Sequence, residues 1–105
     1  MKIVTDNTDG ILTVAVEGSI TVAGAKDFEN EIKDGLSYKN MGAKVSSVIL
    51  DFSKLDYISS AGLRVLLMIK KQMNGKDGLI VKNINDEVRE IFKNTGFLKV
   101  LEIED

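Results

Sequence analysis

Ile11 to Glu17 alternates: Leu12, Val14 and Val16 fall on one side of an extended chain, Ile11, Thr13 and Ala15 on the other. A period of two predicts a strand. Residues 2–5 are a shorter β-branched run, and the polar cluster Asp6-Asn7-Thr8-Asp9-Gly10 between the two ends in a turn pair. The reading is a hairpin closed at Asp9-Gly10, with Gly18 ending the second strand. From Val22 to Leu36 the period changes. Ala25, Phe28, Ile32 and Leu36 recur at steps of three and four, with Lys26, Asp27, Glu29, Asn30, Lys33 and Asp34 between them. That pattern predicts an amphipathic helix packed on one side. Ser37 to Lys44 has no pattern and is expected to be a surface loop.

Val45 to Phe52 holds the apolar run Val48-Ile49-Leu50 before Asp51, as in a parallel strand buried on both faces. Ser53 to Ile58 is expected to be a connecting loop. Ala61 to Met73 is too long and too rich in Leu, Met and Lys for a strand, so a helix ended by Asn74-Gly75 is predicted. Its run Val65-Leu66-Leu67-Met68-Ile69 calls for cover on more than one side. Lys76-Asp77-Gly78 turns the chain into a strand from Leu79 to Lys82. Asn85 caps a helix from Asp86 to Asn94 that Thr95-Gly96 stops, and Lys99 to Ile103 is the last strand. The order β-β-α-β-α-β-α-β predicts an α/β domain over residues 1–105. Right-handed crossovers would give a largely parallel sheet with one antiparallel edge.

Composition narrows the chemistry. The 105 residues include no His and no Cys, which removes Ser-His-Asp and Cys-His triads, thiolate nucleophiles, Cys/His zinc sites and disulfides. A formal net charge of −2 lacks the basic excess of a nucleic-acid binder. No apolar run is long enough to cross a membrane, and Met1-Lys2-Ile3-Val4-Thr5-Asp6 lacks the apolar core of a signal peptide. A small cytoplasmic protein is expected, with no cofactor and no metal. Asp51 and Asp56 supply too few carboxylates for a dedicated cation site and read as solvated loop acids. Gly75-Lys76-Asp77-Gly78 lacks the spacing of a phosphate loop.

The most distinctive stretch runs from Asp51 to Arg64, where a strand leads through a short loop to Ser59-Ser60-Ala61-Gly62-Leu63-Arg64 at the start of a helix. Serines there ordinarily cap the helix and do nothing more. The same position also welcomes an anion, and Gly62 would let a partner's backbone approach closely. A nucleophilic serine is the poorer reading, since no Gly-x-Ser-x-Gly elbow is present and nothing positions Lys54 or Lys70 as a base.

These residues resemble the STAS domain, the family of sulfate transporters and anti-sigma factor antagonists. Gly18, the run Val48-Ile49-Leu50-Asp51-Phe52-Ser53 into Tyr57-Ile58-Ser59-Ser60-Ala61-Gly62-Leu63, and Val88, Ile91-Phe92 and Thr95-Gly96-Phe97-Leu98 carry the likeness over essentially the whole chain. The resemblance implies a bacterial partner-switching protein that is not itself an enzyme. Unphosphorylated, it binds an anti-sigma factor that is also a serine kinase. Phosphorylated at the helix start by that kinase, it is released, and a metal-dependent serine phosphatase resets it. Aligned on Ser-Ala-Gly-Leu, the family's phosphoacceptor falls on Ser60. Two departures bear on which partner it meets: Ser59 stands where the best-known antagonists carry Asp, and Thr21 where they often carry an acid.

The partner face is expected from Ser19, Ile20 and Thr21 together with Ser53, Asp56, Ser59, Ala61, Gly62, Leu63 and Arg64. Both segments follow a strand and lead into a helix, which puts them at one end of the sheet. Arg64 and Asp56 are expected as rim charges. Alone, the protein is expected to be a monomer, with neither nucleic acid nor membrane insertion. The family likeness also admits a second role, as an accessory subunit of a lipid-transport ATPase complex. Neighbouring genes would separate the two.

Overall fold

Five strands form one sheet in the order β1 to β5, in a computed structural model that describes residues 1–37, 45–73 and 78–104. β1 (Lys2–Thr8) and β2 (Ile11–Ile20) make the antiparallel edge, joined at Asp9 and Gly10. Both turn residues have positive φ, 53° and 79°, the backbone that a two-residue hairpin between right-twisted strands needs. β3 (Ser47–Ile58), β4 (Leu79–Lys82) and β5 (Glu102–Glu104) follow in parallel, each beside the one before it. The helices α1 (Ala25–Gly35), α2 (Ser60–Gln72) and α3 (Asp86–Thr95) fill the three crossovers. The predicted order of elements holds.

Each crossover steps the same way across the sheet, so right-handed connections gather α1, α2 and α3 on one side. That side carries Leu12, Val14 and Val16 of β2, Val48, Leu50 and Phe52 of β3, and Leu79 and Val81 of β4, all buried. They share one core with Phe28 and Ile32 of α1, Leu63, Leu66 and Ile69 of α2, and Val88 and Phe92 of α3. The opposite side is only half-covered, with Thr13, Ala15, Ile49, Asp51, Ile80 and Lys82 partly exposed. The expectation that β3 would be buried on both faces is therefore corrected. Ion pairs lie on this open side, including Glu17 with Lys2 at 3.9 Å and with Lys54 at 3.7 Å.

A second correction matters more for function. Ser53 to Ile58 is not a loop but the second half of β3. Its pairing with β2 shifts twice, between Ala15 and Glu17 and again between Gly18 and Ser19, and each shift places one extra residue on β3. A bulge turns the period of two into a local period of three. Phe52, Leu55 and Ile58 consequently stay on the buried side while Ser53, Lys54, Asp56 and Tyr57 stay exposed. β2 likewise continues past Gly18 to Ile20, with Gly18 at φ +94° beside the backbone of Met1.

Other boundaries move by less. α1 begins at Ala25, because residues 22–24 form a turn in which Thr21 Oγ1 accepts from the Gly24 amide at 3.0 Å. α3 is capped as expected: Asn85 Oδ1 accepts from the Val88 amide at 2.8 Å, and Asn85 Nδ2 donates to the Leu55 carbonyl at 3.0 Å, tying α3 to the bulged half of β3. Gly96, at φ 82°, ends α3 in the left-handed conformation. A short 3-10 turn at Phe97–Lys99 then delays the last strand to Glu102. The loop expected after Ser37, the Asn74-Gly75 stop and the Lys76-Asp77 turn lie outside the described residues.

Candidate partner-binding site

β2 and β3 end together, with Ile20 paired to Ile58 and the Ser59 amide donating to the Ile20 carbonyl at 2.8 Å. The two segments expected to form one face therefore meet at the carboxyl end of the parallel strands, where open α/β sheets place their binding sites. Both bulges of β3 are spent on reaching this point. They let the strand follow β2 to its end while keeping Leu55 and Ile58 in the core.

Ser59 and Ser60 part company here. Ser59 is the N-cap of α2, with extended backbone (φ −79°, ψ 168°) and its Oγ accepting from the Gly62 amide at 3.2 Å. It is only 2% exposed. Ser60, the first residue of α2, is exposed and takes no part in the cap. The ordinary capping role thus belongs to Ser59 and leaves Ser60 without a structural task at the helix start.

Burial narrows the expected face. Thr21, Ser53, Asp56 and Arg64 are exposed, and Ser19 and Ala61 partly so. Ile20, Ser59, Gly62 and Leu63 are buried and cannot present side chains to a partner. Gly62 is small for an internal reason: a Cβ there would lie 2.7 Å from Cγ1 of Ile58 and 2.8 Å from Cγ2 of Ile20. The close approach is of the sheet to the helix, not of a partner to the glycine. Two side chains that the sequence reading left out belong to the surface instead. Val22 is 73% exposed and Tyr57 48% exposed, both at this end of the sheet. An apolar residue standing in solvent looks the same in sequence as one in the core.

α1 packs beside α2, and a shallow groove between them has Val22, Ala61, Val65 and Met68 as its apolar part, with Lys26 and Arg64 along it. Its one acid, Glu29, is paired with Lys33 at 3.1 Å and Lys26 at 3.3 Å. Those two ammonium groups, Lys33 first, hold its carboxyl below the ordinary value. On β3, Asp51 Oδ1 accepts from the Ser53 amide at 3.0 Å and lies 3.4 Å from Asn83 Nδ2. The Ser53 amide is the main reason that its carboxyl, too, titrates low. Asp51 is thus a residue that braces the first bulge, rather than the solvated loop acid expected from sequence. Among the described residues no three His, Cys, Asp or Glu side chains gather as a metal site would require, and no helix is long and apolar enough to cross a membrane.

The STAS domain profile matches residues 2–105, and the chain belongs to that family. It is 36% identical over 104 residues to a Bordetella bronchiseptica protein named "Putative anti-sigma factor antagonist BtrV", covering 98% of this chain and 85% of that one. The fold is similar to the crystal structure of an anti-sigma factor antagonist from Mycobacterium paratuberculosis, with a TM-score of 0.82 at 20% identity over 98% of this chain and 84% of that one. It is also similar to the anti-sigma factor antagonist SpoIIAA in its unphosphorylated form, with a TM-score of 0.78 at 16% identity over 97% and 87% of the two chains. The phosphorylated form of SpoIIAA, from Bacillus, matches with a TM-score of 0.69 at 15% identity over 97% and 90%.

Proposed function

We propose that this STAS protein is an anti-sigma factor antagonist that works by partner switching, with Ser60 as its phosphoacceptor. Unmodified, it captures an anti-sigma factor that doubles as a serine kinase and so frees a sigma factor. The kinase then passes the γ-phosphoryl group of ATP to Ser60 Oγ. The hydroxyl proton leaves to a base on the kinase, ADP departs, and the antagonist is released. A metal-dependent phosphatase hydrolyses the ester with water and returns the serine. The protein itself is the substrate and not an enzyme in this cycle, and the setting is the cytoplasm.

One observation carries the reading: the capping is done by buried Ser59, while Ser60 stands exposed one residue later. A kinase can reach Ser60 without unpicking the helix start. The antagonist names of its relatives support the partner class. Phosphate adds about 1.5 to 2 negative charges at a surface meant for contact. A binding penalty of about 3 kcal/mol would weaken capture roughly a hundredfold, so local electrostatics suffices without unfolding.

The test is to incubate wild type, Ser60→Ala and Ser59→Ala with the kinase-type anti-sigma factor and locate phosphate by mass spectrometry. Ser60→Ala should resist modification and stay competent to bind. Ser59→Ala should remain a substrate and lose about 1 kcal/mol of stability, the usual cost of a missing cap. Phosphate appearing on Ser59 of Ser60→Ala at the wild-type rate would overturn the assignment.

A further inference from the structure

Arg64 stands four residues after Ser60 on α2, and both are exposed. Residues at that spacing lie on one face of a helix, about 5–6 Å apart at Cβ. Side chains on a helix lean toward its N-terminus, which brings the turn that carries Ser60 within reach of the long Arg64 side chain. Among the described residues Arg64 has no hydrogen bond or ion pair. The acid that shares its groove, Glu29, is already held by Lys26 and Lys33 of α1. An exposed cation with no carboxylate of its own, one turn from the proposed phosphoacceptor, is suited to receive a dianion in bidentate fashion.

We infer that Arg64 is the internal counter-charge for a phosphate on Ser60, pairing with it across one turn of α2 at the mouth of the groove between α1 and α2. The inference rests on Ser60 as the modified residue. An anion N-terminal to the cation by four residues is the favourable order for such a pair. The pairing would hold the phosphate against the protein at the edge of the apolar groove, in place of a free guanidinium.

The experiment installs phosphoserine at position 60 during translation, so its outcome does not depend on whether a kinase selects Ser60; the mass-spectrometric test above decides that separately. Phosphorus NMR then follows the second ionisation of the phosphate, which for an unpaired phosphoserine falls at about pH 6. In the wild-type background this pKa should lie about 0.3 or more below its value in Arg64→Gln, and Arg64→Lys should restore part of the depression. Lys71→Gln removes an equal charge about 16 Å from position 60 along the helix, beyond the screening length of about 8 Å, and should leave the value unchanged. Equal values in wild type and Arg64→Gln would overturn the inference, as would equal effects of Arg64→Gln and Lys71→Gln.

Discussion

Ser59 and Ser60 are neighbours in the chain, but Ser59 is the extended cap of α2 and Ser60 its first helical residue, and that change of backbone divides their work. Ser59 turns inward and satisfies the Gly62 amide, while Ser60 turns to solvent. Asp51 shows the same dependence on local geometry. Its carboxylate accepts from the Ser53 amide across the first bulge, and its pKa lies below the ordinary 3.8. A lowered carboxyl pKa stabilises the fold above the unfolded value, and that contribution is lost as pH falls through the folded one. The stability advantage of wild type over Asp51→Asn should accordingly shrink on acidification from about pH 5 to about pH 2, as read from urea midpoints. A constant difference across that range would show that the carboxylate's charge contributes nothing to the bulge.

At the scale of elements, the junction of β3 with α2 is the decisive piece. Two bulges carry β3 along the whole of β2, and Gly62 lets α2 settle onto Ile20 and Ile58. Both isoleucines are buried and stiff at the branched carbon, so neither can yield readily to a new methyl group. Gly62→Ala should therefore destabilise by about 1–3 kcal/mol despite the better helix propensity of alanine. For a domain this size each kcal/mol lowers the melting temperature by about 4–8 °C. An unchanged or raised melting temperature would mean that the sheet and helix have slack here. Little of this junction was legible beforehand. Phe52, Leu55 and Ile58 are spaced by threes, which matches neither an ideal strand nor a helix, so the segment read as a loop. By contrast β4, the Asn85 cap and the Asp9-Gly10 turn were legible to the residue, because each is decided by its own few side chains.

For the whole molecule, the consequence is that the proposed binding end is chemically plain and geometrically particular. Exposed Val22 and Tyr57 and the exposed charges Asp56 and Arg64 lie on the segments that flank the common end of β2 and β3. Asp56→Lys and Arg64→Glu should each weaken capture of the proposed anti-sigma partner about tenfold or more while shifting stability by no more than about 0.5 kcal/mol, the usual range for exposed sites. Titration calorimetry together with thermal melts distinguishes the cases. Parallel loss of affinity and melting temperature would show that these charges hold the fold rather than meet a partner.

Local patterning determined the order of strands and helices, the Asn85 cap, the hairpin turn, the parallel sheet and the stretch around Ser60, because those features follow from side-chain period and from hydrogen bonds within a few residues. The tertiary structure alone decided which face of β3 is buried, since that depends on every crossover stepping the same way across the sheet. It also decided that Ile20, Gly62 and Leu63 serve the core while Val22 and Tyr57 face solvent. Burial is a relation between segments distant in the chain: the sheet's end must be built from β2, β3 and α2 together before any one residue there has an inside and an outside.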